Sequence, residues 1–131
     1  MPSLRTPTLG IPTCSLVLAA DDASALASFY GAVLDCVPTP GAASTHWRVP
    51  LPSGMWLELY SPSRSRPLPR QRGRLALCLQ LAGAEQGLRL AVQRCLELGG
   101  RTLDPVRQEP FGWEAWLEDP EGNALLLLAS A

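Results

Sequence analysis

Two apolar runs, Phe111 to Leu117 and Ala124 to Leu128, flank the pentapeptide Asp119-Pro120-Glu121-Gly122-Asn123, and this segment limits the fold more than any other. Proline at 120 presets φ for the first corner of a type I turn, the Asp119 side chain can bond its own backbone, and Gly122 supplies a positive φ before the chain re-enters a strand. The pattern predicts a tight β-hairpin. Before the turn, Trp113, Ala115 and Leu117 alternate with Glu114, Trp116 and Glu118. After it, Leu125 to Leu128 are apolar on both faces. Such a strand has a helix on one side and faces a cavity or a partner on the other.

Upstream, the same kinds of element occur in a repeated order. Cys14 to Ala20 reads as a short apolar strand, and Asp21 or Asp22 can N-cap the helix that follows. Leu26, Phe29, Tyr30, Val33 and Leu34 give that helix one apolar face, and Asp35 ends it. Three short strands follow, at Cys36–Thr39, Thr45–Val49 and Met55–Tyr60, separated by turns at Pro40-Gly41 and Pro52-Ser53-Gly54. The second half repeats the order: a strand over Arg74–Leu81, a helix over 84–98 with Leu88, Ala91, Val92, Cys95 and Leu96 on one face, a stop at Gly99-Gly100, a weak strand near Thr102–Arg107, and the final hairpin. Each half is strand, helix, strand, strand, strand. Units of about sixty residues this thin each need the other to cover their sheet.

The chain is predicted to be one domain spanning residues 1–131, with module one over about 11–60, an Arg/Pro/Ser-rich linker over 61–73, and module two over about 74–129. Residues 1–10 read as a loose arm. The linker holds Arg64, Arg66, Arg70 and Arg72; it reads as a solvated charged face, or as a flap or anion-binding loop. A formal charge of −1 lacks the basic footprint of a nucleic-acid binder. No stretch approaches the roughly 18 uninterrupted apolar residues of a membrane span. The N-terminus carries no apolar block of a signal peptide, so a cytoplasmic location is expected. All basic residues are arginine, a bias of composition. Cys14, Cys36, Cys78 and Cys95 form no Cys-x-x-Cys pair and sit in apolar runs, which predicts small buried thiols kept reduced in the cytoplasm.

On these residues the chain resembles the vicinal oxygen chelate superfamily of glyoxalases, bleomycin-resistance proteins and extradiol dioxygenases. The resemblance is carried by Asp22, Phe29-Tyr30 and Val33-Leu34 of the first helix, Leu57-Glu58-Leu59, Leu98-Gly99-Gly100, and Asp119-Pro120-Glu121-Gly122-Asn123, across about residues 11–129. It implies an α+β fold of two βαβββ modules forming a curled mixed sheet around a cleft, commonly in a homodimer. Metal-using members draw ligands, usually His, Glu or Gln, from the first and last strands of each module. The matching positions here are Ser15, Glu58, Arg74 and Leu126, of which Glu58 alone suits a divalent ion. His46 lies outside the expected set. The resemblance therefore implies no metal cofactor, with a divalent ion disfavoured.

A cleft without its metal keeps a lining, which the resemblance places at Trp47, Trp56, Trp113 and Trp116, with Tyr60, Glu58 and Arg74 as polar groups. Flat side chains offer stacking surfaces to planar or cationic ligands; the same residues also suit core or dimer packing. The run Glu109-Pro110-Phe111-Gly112-Trp113-Glu114 is similar to a Pro-Trp-Gly segment of the bleomycin-resistance branch, with Phe111 in place of Trp. Glu58 and Arg74 read as a pair across the former metal position, guanidinium replacing cation, or as solvated strand ends. Two functions follow. One is a metal-independent, bleomycin-resistance-type protein holding a partly aromatic small molecule; the other is a lyase or isomerase with Glu58 as general base, with or without a metal.

Overall fold

The computed structural model describes residues 14–62 and 75–131. The N-terminal arm, Arg74 and the arginines of the linker lie outside the described residues.

Module one runs β1 (Ser15–Ala19), α1 (Ala23–Val33), β2 (Thr39–Pro40), β3 (His46–Pro50), a single 3-10 turn (Pro52–Gly54) and β4 (Trp56–Tyr60). Module two runs β5 (Leu77–Leu81), α2 (Ala84–Glu97), β6 (Arg101–Glu109), β7 (Gly112–Glu118) and β8 (Ala124–Ser130). The strands form two four-stranded mixed sheets, ordered β1-β4-β3-β2 and β5-β8-β7-β6. In each, the first strand pairs parallel to the last and the remaining neighbours pair antiparallel. The fold is α+β, two βαβββ modules, as the element order predicts.

Each helix covers one face of its own sheet. On α1 the residues Leu26, Phe29 and Tyr30 are buried, and they meet Val49, Leu57 and Leu59 from β3 and β4. Asp22 caps the helix, accepting from the Ala25 amide at 3.0 Å. On α2, Leu88 and Cys95 are buried against Ala115, Leu117, Leu125 and Leu127, all within 1% of full burial. Removing each such leucine from water stabilises the fold by about 1.5–3 kcal/mol. Leu96, expected on the same face, is 42% exposed because it lies one residue beyond the Leu88–Cys95 stripe.

The final hairpin forms as its turn chemistry dictates. The Gly122 amide donates to the Asp119 carbonyl at 3.0 Å, Gly122 has φ +88°, and Asp119 pairs back to Asn123 at 2.8 Å. Two expectations need correction. The strand predicted at Cys36–Thr39 shrinks to Thr39–Pro40, because Asp35 turns left-handed at φ +54° and Pro38 is packed against Gly31, where it has no amide to give a ladder. The weak strand near Thr102–Arg107 is a nine-residue edge strand with two register shifts, at Thr102/Asp104 and Asp104/Arg107, the second of which absorbs Pro105.

The modules meet through α1, α2 and the 119–123 turn. Asp119 is fully buried there and accepts from the Tyr30 hydroxyl at 2.7 Å, the Glu121 amide at 2.8 Å, and both the amide and the side chain of Asn123. Burial, and then the Asp119 charge, push the Tyr30 phenol far above its ordinary range. Glu121 reaches across to the start of α1, accepting from the Asp21 amide at 2.6 Å and the Asp22 amide at 2.9 Å. The carboxylate thus sits against the positive end of the helix.

Candidate functional site on the open face of the first sheet

Strand register decides which side chains share the face turned away from each helix. Across β3 and β4, His46 lies opposite Tyr60, Arg48 opposite Glu58, and Pro50 opposite Trp56; on β1, Ser15, Val17 and Ala19 lie beside Trp56, Glu58 and Tyr60. These residues form the open face of the first sheet, since the alternate positions Leu57, Leu59 and Val49 are buried beneath α1.

Glu58 is the centre of that face, and its carboxylate is already engaged. His46 Nε2 lies 2.7 Å from Oε1, and Arg48 Nε donates to Oε1 and Oε2, both at 3.1 Å. The histidine tautomer follows from its other nitrogen: the Ala42 amide donates to Nδ1 at 3.0 Å, so the proton sits on Nε2 and points at Glu58. The imidazole lies against Gly41, and a Cβ at that position would collide with the ring. Glycine at 41 is the seat of the histidine. The Arg48 guanidinium carbon stands 4.1 Å above the centre of the Trp56 ring, a cation–π contact. Among the described residues the two Nη groups of Arg48 have no partner.

The expected lining is divided by the same register. Trp56, Glu58 and Tyr60 share the open face with the exposed Ser15. Trp47 pairs with Leu59 and Trp113 with Ala129, so both pack on the core beneath their sheets, on the faces opposite Trp56 and Trp116. Trp116 pairs with Leu126 on the open face of the second sheet, next to Cys78 on β5 and Asp104 on β6. Within one chain Leu126 and Trp116 therefore belong to a different sheet from Glu58, and Arg74 lies outside the described residues. Ion pairs of Arg107 with Asp104, Glu109 and Glu114 surround that second face. The thiols are also divided. All four are free; Cys95 is buried and pushed up to about 11 by that burial, while Cys14 and Cys78 are exposed, contrary to expectation: Cys78 falls on an outward position of the edge strand β5, and Cys14 lies just before β1.

His46 and Arg48 are the residues that sequence reading missed. The signal was the short connection between β3 and β4: closing it with Pro50 opposite Trp56 places Arg48 opposite Glu58. Among the described residues the donor set does not suit a divalent metal. Ser15 is a weak ligand, Leu126 is none, both oxygens of Glu58 are bound to cationic or N–H donors, and no group of three His, Cys, Asp or Glu comes together among the described residues.

Two βαβββ modules, each a mixed sheet with one helix on one face, define the class: a paired-module protein of the vicinal oxygen chelate type. The sequence matches the model of the glyoxalase-like domain over residues 15–128, and the chain belongs to this family. Its structure is similar to that of a glyoxalase-related enzyme from Fulvimarina pelagi, with a TM-score of 0.76 at 20% identity over 91% of this chain and 88% of that one. A glyoxalase/bleomycin resistance protein from Albidiferax ferrireducens T118 aligns with a TM-score of 0.70 at 19% identity, over 89% and 97% of the two chains. Lactoylglutathione lyase from Agrobacterium tumefaciens aligns with a TM-score of 0.59 at 19% identity, over 95% and 96%. At these identities the likeness is one of fold. No curated protein sequence matches the chain. Among the described residues, no helix is long and apolar enough to cross a membrane.

Proposed function

We propose that the protein is a metal-independent small-molecule binding protein of the bleomycin-resistance type, which holds a partly aromatic ligand on the open face of its first sheet. The observation that carries this reading is the state of Glu58. Its two oxygens accept from His46 and Arg48, so the carboxylate serves as the acceptor that holds those two side chains in place, which supports a structural role for it over that of a general base or metal ligand. What the face offers is surface: Trp56 beneath a guanidinium, the Tyr60 ring, and Val17, which is 62% exposed. The modules meet chiefly through α1, α2 and the 119–123 turn, which supports a hollow completed by a second copy of the chain, its Trp116 and Leu126 closing over Trp56 and Glu58. The protein is therefore proposed to work as a homodimer, and free thiols suit a cytoplasmic setting.

Elemental analysis of purified protein together with tryptophan-fluorescence quenching by a panel of aromatic drugs and keto acids tests the reading. The expected result is less than stoichiometric Ni, Fe, Zn or Mn and saturable quenching by members of the panel. Stoichiometric metal, or turnover of a panel keto acid, would overturn it. Light scattering in solution reports the dimer.

A further inference from the structure

We propose that Arg48 is a carboxylate anchor, and that the ligand class is small planar aromatic acids; this rests on the binding reading above. Arg48 divides its guanidinium between three tasks. Its Nε edge is spent on Glu58, one face is stacked on Trp56, and the outer edge formed by the two Nη groups is left with parallel N–H donors and no partner among the described residues. A fork of that shape matches the two syn oxygens of a carboxylate, which binds in the guanidinium plane.

The surroundings hold the fork still. Glu58 fixes the Nε side, and His46, seated on Gly41 and bonded by the Ala42 amide, fixes Glu58 in turn. An anchor held at one edge and one face loses little freedom when its other edge is occupied. The charges permit an acid: Arg48 offsets Glu58, and with Nδ1 accepting a backbone amide His46 is neutral, so the cluster repels an incoming carboxylate far less than a bare glutamate would. An apolar body has somewhere to rest. The guanidinium lies over Trp56 of β4, and β1 is the next strand, about 4.8 Å away, where Val17 presents its exposed side chain beside Glu58. Val17 and Arg48 flank Glu58 on the same face, one on the strand to each side, a separation of about 10 Å between backbones that suits a ligand of one or two fused aromatic rings.

Isothermal titration of the full chain with naphthalene-2-carboxylate and with naphthalene-2-carboxamide separates the anchor from the surface. The acid should bind at least about tenfold tighter than the amide, and this preference should weaken as salt rises. Arg48→Lys keeps the charge but loses the fork, and should bring the acid down to the level of the amide. Val17→Asp, a change at an exposed position that leaves the core untouched, should weaken the acid by about tenfold or more through like charge and lost contact. Equal binding of acid and amide to the unmodified protein would overturn the anchor while leaving the binding reading intact, as would an Arg48→Lys protein that keeps the preference. If neither compound binds, the anchor is wrong; quenching by other members of the aromatic panel then tells whether the binding reading falls with it.

Discussion

The Tyr30 hydroxyl on α1 donates to Asp119 Oδ2 at 2.7 Å, a buried bond between side chains 89 positions apart that ties one module to the other. Asp119 needs that bond, and the bond needs Asp119: a buried carboxylate is tolerated only when donors surround it. The Asp-Pro-Glu-Gly-Asn turn is thus a joint between modules.

Asp119→Ala leaves the Tyr30 hydroxyl, the Asn123 side chain and two backbone amides short of an acceptor. A loss of about 3 kcal/mol or more is expected from several unsatisfied buried donors. Tyr30→Phe removes one donor and should cost about 1.5–3 kcal/mol, as for a hydrogen bond to a charged group. Urea unfolding of both variants and of the double variant measures the pair, and the double variant should lose less than the sum of the two.

The same bond predicts an alkaline limit to stability. In the unfolded chain Tyr30 ionises near its ordinary value of 10.0, whereas in the fold it is held well above that by burial and by Asp119. A raised pKa means that the contribution is fully present below pH 10 and is lost as pH rises further, because the unfolded state releases a proton that the folded state keeps. Cys95 acts in the same direction from its ordinary 9.0, with its folded value at about 11. Stability from urea titrations between pH 8 and pH 11 should therefore fall, and it should fall less steeply in Tyr30→Phe, which has no phenol to ionise.

Glu121 is expected to matter locally. Glu121→Ala frees the Asp21 and Asp22 amides at the start of α1, with a cost of about 1 kcal/mol for exposed bonds of this kind. Hydrogen exchange at those two amides should accelerate while exchange in the middle of α2 stays unchanged.

His46 and Gly41 should behave as one unit. Gly41→Ala pushes the imidazole off its seat, so it should cost about as much stability as His46→Ala, roughly 1 kcal/mol, and the double variant should be no worse than either. Full additivity in a urea double-mutant cycle would show that the ring does not depend on the glycine.

Much of the architecture could be read from the chain because it rests on local chemistry. Pro120 and Gly122 specify the hairpin, Asp22 the start of α1, and Gly99, at φ +104°, the end of α2. The site was less legible. Glu58 stands out by position, but its partners Arg48 and His46 are set by pairing across strands, which the pattern along a single strand does not give. Composition groups the four tryptophans together, whereas register turns Trp47 and Trp113 to the core. Alternation fixes which residues share a face; only the register says which residues of the next strand stand beside them.

Every side chain that holds Glu58, together with the ring stacked under Arg48 and the glycine beneath His46, comes from the stretch between Thr39 and Tyr60, whereas the joint between modules is made by α1 and the turn at Asp119. The cluster around Glu58 and the joint between modules are thus written in separate parts of the chain. That meander can be rewritten with the docking of the two halves left as it was.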